Sequence, residues 1–219
     1  MYNIRSLAPE ARTRLETMVE VLRHWSKAIN LVGRATLDDI WARHVLDSAQ
    51  LDPLIPPGTK KLADLGSGAG FPGLVVAAMR PEIEVTLVES DARKAAYLGE
   101  ASRRMELAIP PKVVIGRIEE INPLGADVVA ARALAPLATL LEWAFRHRSG
   151  PAICLFHKGK GWRGELTEAM RDWDIPHQPF ASVTDSDSVI LRVGDYQRLA
   201  SAGAAAADVR DRQPKGRRR

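Results

Sequence analysis

A glycine-rich stretch in the first third of the chain carries the clearest chemical signal. Residues 64–73 read Asp-Leu-Gly-Ser-Gly-Ala-Gly-Phe-Pro-Gly. Lys61 to Leu65 has the pattern of a buried strand, and Gly73 to Arg80 has the pattern of a helix. Glycines allow a tight turn and a close approach of the backbone to a ligand, and a helix N-terminus offers free N–H groups. The stretch therefore predicts a loop that binds a small molecule at the end of a strand.

Two spacing patterns overlap in this loop. Gly68, Gly70 and Gly73 fit the G-x-G-x-x-G pattern of dinucleotide-binding domains. Asp64 and the three glycines at alternate positions from Gly66 fit D-x-G-x-G-x-G, which resembles motif I of class I methyltransferases. The second pattern is more specific because the carboxylate is part of it. Asp64 can either organise the loop or face the cationic amine of a methionine moiety.

Acidic side chains also follow the next two predicted strands. Glu89 ends the second, where a carboxylate can accept hydrogen bonds from both ribose hydroxyls of a nucleoside. That geometry serves NAD and S-adenosylmethionine equally. Glu119 and Glu120 follow the third strand, and one of them can accept a hydrogen bond from an adenine amino group. Away from the loop, each of these acids would be an ordinary surface charge.

Three further polar residues fall on one helical face, because Arg43, His44 and Asp47 are separated by three and four positions. Such a group can contact RNA or shape a pocket for a base. It can equally be an intrahelical salt bridge, and the spacing alone favours the salt bridge.

Basic residues follow the fourth and fifth predicted strands. Arg132 can hold a carboxylate or a phosphate. Lys158 and Lys160 lie between His157 and Trp162, a mixture that suits phosphate contact and base stacking but also occurs in solvated loops. We favour phosphate contact for Lys158 and leave Lys160 and Trp162 open.

The composition limits the class of protein. With 219 residues, 46% apolar and 26% charged, the chain suits one soluble α/β domain with a modest extension. The lone Cys154 excludes an intramolecular disulfide, and a small buried thiol is the favoured interpretation. The N-terminus lacks the apolar core of a signal peptide, and no apolar stretch is long enough for a bilayer. These features predict a cytoplasmic protein, with a monomer as the default; the scattered histidines predict no metal site.

The positive charge is concentrated at the C-terminus. Basic residues exceed acidic residues by four in 208–219, which equals the formal net charge of +4 for the whole chain. We expect residues 200–219 to be a disordered basic tail, which either adds salt-sensitive attraction to phosphates or only improves solubility.

The predicted elements that must position these side chains alternate strand and helix. Residues 1–58 show a helical stripe over 10–29 and a second helix from Thr36 to about Gln50. Residues 59–199 read as one ligand-binding domain whose last two strands, close in sequence, form an antiparallel hairpin. We therefore predict an α/β fold of the class I methyltransferase, Rossmann-like type, with a mainly parallel seven-stranded sheet and an N-terminal helical extension. Ligands bind beyond the carboxyl ends of such strands.

With these residues in view, the chain resembles the RsmG (GidB) family over roughly residues 20–195. Trp25 with Asn30-Leu31 resembles the family's W-x(4)-N-L element, and Arg43 to Ser48 resembles its R-H-x-x-D-S element. The glycine loop, including Pro72-Gly73, is also similar. Further matches are Arg117 to Glu120, Arg132-Ala133 and Lys158-Gly159. The match weakens between Glu106 and Pro111.

The resemblance implies methylation of the N7 of a guanine in 16S ribosomal RNA of the small subunit, with S-adenosyl-L-methionine as methyl donor. Combined with the loop analysis, it implies cofactor contacts at Gly66, Gly68, Gly70, Phe71, Glu89, Ile118, Glu119 and Arg132. The candidates for a catalytic role are His44, Asp47, Arg132 and Lys158. Because N7 carries an in-plane lone pair and no proton, no dedicated general base is required.

Three other functions compete with this hypothesis. An NAD-dependent oxidoreductase would use the dinucleotide spacing, although the chain has little room for a substrate domain. A methyltransferase acting on protein or a small molecule is the second. The third is a ribosome-assembly factor that binds RNA without transferring a methyl group.

Overall fold

A computed structural model describes residues 7–33 and 36–200, so nearly all of the predicted tail lies outside the described residues. The chain begins its described part with helix α1 (Pro9–Trp25), which buries an apolar stripe that includes Leu15, Met18 and Leu22. Residues of two later helices, α3 (Gly73–Met79) and α4 (Ala92–Arg104), cover that stripe. Trp25 Nε1 donates a 2.9 Å hydrogen bond to Glu100 Oε2, which fastens the extension to the core. The helix ends at Trp25, four residues earlier than its apolar pattern indicated.

The second helix differs from its prediction. It is a π-helical segment (Trp41–Leu46) continued by α2 (Asp47–Ala49) and followed by a 3₁₀ turn (Asp52–Leu54). The sequence pattern predicts Thr36 as the N-cap of this helix. Thr36 does not cap it, because its hydroxyl donates to the Gly33 carbonyl and pairs with His44. The Thr36 hydroxyl therefore closes a turn with Gly33 instead of capping the helix.

Seven strands form one sheet, and they are β1 (Lys61–Leu65), β2 (Glu84–Glu89), β3 (Lys112–Ile115), β4 (Ala126–Arg132), β5 (Arg148–Lys158), β7 (His177–Ala181) and β8 (Val189–Val193). Their order in the sheet is β3-β2-β1-β4-β5-β8-β7. Its first five members are parallel, and β8 and β7 add an antiparallel hairpin at one edge, as predicted.

Helices cover both faces of the sheet, which gives two apolar cores. The helices that follow α2 are α3 (Gly73–Met79), α4 (Ala92–Arg104), α5 (Leu137–His147) and α6 (Trp162–Ala169). Helices α1, α3 and α4 pack on one face, and α5 and α6 on the other. Asp91 caps α4 by accepting hydrogen bonds from the backbone N–H groups of Arg93 and Lys94. Cys154 is fully buried in the second core, as expected.

The sequence pattern predicts a last helix over Gly164 to Trp173, and the structure begins and ends this helix earlier. Helix α6 ends at Ala169, and Trp173 lies in a two-residue strand β6 (Trp173–Asp174) that pairs with β9 (Gln197–Arg198). The Trp173 ring packs 5.4 Å from the ring of Tyr196, so tertiary packing determines its conformation. None of the helices in the described ranges combines the length and apolar character needed to cross a membrane.

Candidate functional site

The glycine loop connects β1 to α3 at the carboxyl edge of the sheet. Gly66 has φ +67, and a Cβ there would lie 2.4 Å from Leu134 Cδ1. The loop is tied to the neighbouring strand because Ser67 N donates to the Val88 carbonyl at 2.9 Å. The first feature keeps the loop close to Leu134, which follows β4, and the second ties the loop to β2.

Asp64 lies beneath this loop and is 1% exposed. Its Oδ2 accepts a 3.0 Å hydrogen bond from Gly73 N, the first residue of α3. Its Oδ1 is buried and has no hydrogen-bond partner among the described residues. Burial raises the pKa of Asp64 to about 7. Of the two tasks the sequence allowed, the geometry supports the organisation of the loop.

A cavity of about 480 Å³ opens above the carboxyl ends of β1, β2 and β4, and we call it the first cavity. Among the residues predicted to bind a cofactor, those that line it are Gly66, Gly68, Phe71, Glu89, Ile118, Glu119 and Arg132. Gly70 is the exception among them, since the described lining does not include it. It has φ +85, and a Cβ would lie 2.4 Å from Leu74 Cδ1, so the turn and the packing on α3 explain the glycine.

Glu89 is buried at the end of β2, and its carboxylate braces the loop. Oε2 accepts a 2.9 Å hydrogen bond from Gly68 N, and Oε1 accepts one of 2.8 Å from Asp91 N. Each carboxylate oxygen can accept a second hydrogen bond, so both remain able to receive ribose hydroxyls. Glu119 is paired with Arg117 at the rim, whereas Glu120 lines a different cavity.

Arg132 ends β4 beside the aromatic ring of Phe71, with its guanidinium carbon 5.5 Å from the ring centroid. Its Nη2 donates to His44 Nδ1, and its Nη1 lies 3.5 Å from Asp47 Oδ2. The His44 ring stacks on Phe71, with centroids 5.1 Å apart. The structure thus brings together Arg132, Phe71 and the pair of His44 and Asp47, which lie in three separate parts of the sequence and were predicted separately.

His44 is held neutral by this environment. Burial, reinforced by the nearby charge of Arg132, lowers its pKa to about 4. A neutral ring that accepts through Nδ1 carries its proton on Nε2, which then donates to Thr36 Oγ1 at 3.0 Å. Thr36 in turn donates to the Gly33 carbonyl. These bonds connect Arg132 to the segment whose Leu31 and Val32 line the first cavity.

Side chains from the β7–β8 segment, from β5 and from β4 contact Asp47. Its Oδ1 accepts hydrogen bonds from Thr184 Oγ1 at 2.8 Å and from Ser182 Oγ at 3.3 Å, both in the segment between β7 and β8. Its backbone carbonyl accepts one from His157 Nε2 at 3.0 Å. The salt bridge expected from its spacing to Arg43 is replaced by the pairing with Arg132, and Arg43 is exposed.

Lys158 does not present its ammonium group to solvent, contrary to the prediction of a phosphate contact. The residue is 8% exposed, and Nζ lies 2.5 Å from Glu165 Oε2 and 3.0 Å from the Ala135 carbonyl. Trp162 is buried in the second core and is not available to stack on a base. Lys160 remains exposed.

Several side chains of the site gave no signal in the sequence. Lys94 and Trp143 complete the first cavity from the helices α4 and α5, and Leu134 follows β4. Ser182 and Thr184 reach Asp47 only because β8 pairs with β5. Hydroxyl residues in a turn are common, so their role depends on the strand order, which local patterns do not specify.

Comparison with known proteins agrees with this arrangement. A family model described as "GidB: rRNA small subunit methyltransferase G" matches residues 11–188. A protein of Paramagnetospirillum magneticum named ribosomal RNA small subunit methyltransferase G is 49% identical over 189 residues, covering 86% of this chain and 91% of the relative. The protein of that name from Gluconobacter oxydans is 44% identical and covers 89% of this chain and 98% of the relative.

Solved structures support the fold alone. A crystal structure of M. jannaschii TYW2 in complex with AdoMet superposes with a TM-score of 0.55 at 11% identity, covering 79% of this chain and 80% of that one. A methyltransferase from Geobacter sulfurreducens gives a TM-score of 0.52 at 16% identity, with coverage of 87% and 92%. The class I methyltransferase fold predicted from the sequence is confirmed.

Proposed function

Because the chain belongs to the rRNA small subunit methyltransferase G family, we propose that it methylates the N7 of a guanine in 16S ribosomal RNA, with S-adenosylmethionine as the methyl donor. The observation that carries the proposal is the first cavity, built on the glycine loop at the carboxyl edge of the sheet. The likeness covers nearly the full length of the named relatives.

The residues around the first cavity suit S-adenosylmethionine. The Gly66 backbone leaves no room for a Cβ, and it faces the cavity. Glu89 offers carboxylate oxygens to the ribose, and Ile118 supplies an apolar wall suited to an adenine. The carboxyl group of Asp64 lies beneath the loop, and its buried Oδ1 has no hydrogen-bond partner in the described chain. S-adenosylmethionine has no pyrophosphate, so acidic groups at this position are tolerated.

The chemistry requires positioning more than proton transfer. When bound, S-adenosylmethionine supplies an electrophilic methyl group on a sulfonium. The guanine N7 lone pair forms the new C–N bond while the C–S bond breaks and its electron pair returns to sulfur. The products are 7-methylguanosine, which is cationic, and S-adenosylhomocysteine. The protein lowers the barrier by holding guanine N7, the methyl carbon and the sulfur in line.

The surrounding side chains fit that task. His44 is neutral and engaged at both ring nitrogens, so it is not poised as a general base. Arg132 is held by Asp47 and His44 at the edge of the first cavity. Carboxylates near the product, of which Asp47 is one, stabilise the positive charge that develops on the base. We therefore assign positioning and electrostatic roles, in place of acid–base catalysis, to His44 and Asp47.

The test is transfer of a labelled methyl group to small ribosomal subunits that lack the modification, followed by nucleoside mass spectrometry. The expected product is 7-methylguanosine at a single site in 16S RNA. Fully modified subunits are the control and should accept no label. Binding of S-adenosylhomocysteine without transfer to any RNA would overturn the proposal, and tight binding of NADH would indicate the oxidoreductase instead.

A further inference from the structure

A second cavity adjoins the first at the carboxyl edge of the sheet. It has a volume of about 270 Å³ and shares the residues His44, Arg132 and Ala133 with the first cavity. A third cavity lies among residues at the opposite end of the strands, including Lys61 and Glu84, and has no lining residue in common with the first among those described. A methyl acceptor must come within bonding distance of the methyl group of the donor. The acceptor atom must therefore lie next to the residues that the two cavities share.

We propose that the second cavity receives the target guanine as a single nucleotide extruded from the RNA, and that Asp47 is a positioning residue that fixes the outer wall of this cavity. The inference rests on the proposed function and assigns its substrate pocket. A base flipped out of its helix is read by hydrogen bonds inside a closely fitting pocket.

The lining of the second cavity is polar in the manner that a guanine requires. Hydroxyl groups come from Thr36, Ser182, Thr184 and Ser188, carboxylates from Asp47 and Asp185, and cationic groups from Arg43, Arg132 and Lys158. Guanine presents N–H donors on its Watson–Crick edge and the acceptors O6 and N7 on its Hoogsteen edge. Asp47 and Asp185 can accept hydrogen bonds from the guanine donors, and the hydroxyl and cationic groups of the lining can donate to O6.

The wall on the far side consists of Ser182, Thr184, Asp185 and Ser188, which belong to the turn between β7 and β8. Hydrogen bonds within the protein already fix these residues. Asp185 accepts hydrogen bonds from Asp187 N at 3.0 Å and from Ser188 Oγ at 2.8 Å, which fold the turn on itself. Asp47 Oδ1 then anchors the turn through Thr184 and Ser182.

Asp47 is less engaged through its second oxygen. The neighbours of Oδ2 are Arg132 Nη1 at 3.5 Å and His157 Nε2 at 3.8 Å, both longer than a good hydrogen bond. The carboxylate therefore joins the turn, the end of β4 and the end of β5 while keeping acceptor capacity at the cavity. Its loss would loosen the pocket for the base more than the site of the methyl donor.

Filling the second cavity tests the assignment directly. Ser188 lines the cavity, whereas Ser186 of the same turn is exposed and is not part of the described lining. We expect Ser188→Trp to lower methyl transfer to small subunits at least 100-fold while the Kd for S-adenosylhomocysteine stays within threefold. The matched control Ser186→Trp should leave both within threefold. Equal transfer rates for Ser188→Trp and the control would overturn the proposal.

A second pair of variants loosens the wall without adding bulk, in case Ser188→Trp does not fold. Thr184→Val combined with Ser182→Ala removes the hydroxyls that reach Asp47 and leaves Arg132 untouched. We expect KM for small subunits to rise about tenfold, with S-adenosylhomocysteine affinity unchanged. The control Thr86→Val lies in the third cavity and should change neither quantity. An unchanged KM in the double variant would contradict the inference, whereas an inactive wild-type protein would instead refute the proposed function.

Discussion

Asp64 Oδ2 accepts a 3.0 Å hydrogen bond from Gly73 N, so a carboxyl group buried beneath the glycine loop joins the end of β1 to the first turn of α3. The bond compensates only part of the cost of burial, because Oδ1 has no partner within the described residues. Burial therefore disfavours the ionised form of Asp64 and raises its pKa to about 7.

Stability should therefore depend on pH through Asp64. Its pKa is raised by folding, so its contribution to the free energy of unfolding is fully present below about pH 4 and is lost as the pH rises through 7. Relative to Asp64→Asn, the wild-type protein should lose about 2–3 kcal/mol of unfolding free energy between pH 5 and pH 8. Urea titrations of both proteins at several pH values measure the difference. Parallel pH dependences would show that Asp64 is not the responsible group.

A substitution at Lys158 can distinguish a role in protein stability from a role in RNA binding. Lys158→Ala leaves the carboxylate of Glu165 without its ammonium partner, and such losses typically cost roughly 3–5 kcal/mol for a buried pair. Because Glu165 is partly exposed, we expect a loss toward the lower end, seen as a reduced Tm. The slope of log K for RNA against log salt should not change.

The neighbouring exposed lysine is the matched control for that measurement. Lys160→Ala should leave Tm unchanged and, if the loop contacts a phosphate, reduce the salt slope by about one. A reduced slope in Lys158→Ala with an unchanged Tm would instead restore the phosphate contact that the sequence suggested.

The comparison of Lys158 and Lys160 shows how far local patterns reach. Strand–helix alternation predicted the sheet, its antiparallel edge and the position of the glycine loop, because each depends on short-range periodicity. The burial of Lys158 depends on Glu165, which lies on a helix that the pattern placed two residues late. The spacing of Lys158 and Lys160 in the sequence does not show that only Lys158 has a partner on the following helix.

The same limit applies to Asp47 and Arg43. Their spacing on a regular α-helix indicated a salt bridge, but the segment is π-helical and the sheet order brings Arg132 to Asp47. Gly70 shows a related ambiguity. A glycine in a ligand-binding loop can be required by packing, and here the contact with Leu74 accounts for it.

His44 should remain neutral through the physiological range. Its folded pKa of about 4 lies below the value for a free histidine, so its contribution to stability is present above pH 6.5 and is lost as the pH falls toward 4. In NMR spectra, the His44 ring resonance, assigned by its disappearance in His44→Gln, should not shift between pH 8 and pH 5.5. A titration with a midpoint near 6.5 would contradict the geometry with Arg132. The activity profile should likewise show no ionisation from His44 in this range.

The last prediction isolates the close approach at Gly66 from backbone strain. Gly66→Ala places a Cβ 2.4 Å from Leu134 Cδ1 at a φ of +67, and Leu134 lines the first cavity. Gly125→Ala imposes a similar φ of +61, with nothing in the described structure within 4 Å of the new Cβ. Both variants should lose about 1–2 kcal/mol from the left-handed backbone conformation.

Only Gly66→Ala should also weaken binding at the first cavity, because the methyl group must displace Leu134 or shift the loop. We expect the Kd for S-adenosylhomocysteine, measured by calorimetry, to rise at least tenfold in Gly66→Ala and to stay within twofold in Gly125→Ala. If both variants bound S-adenosylhomocysteine as tightly as the wild type, the glycine would serve the turn and not the ligand. If both weakened equally, general loss of stability would explain the effect, and comparing their Tm values would identify it.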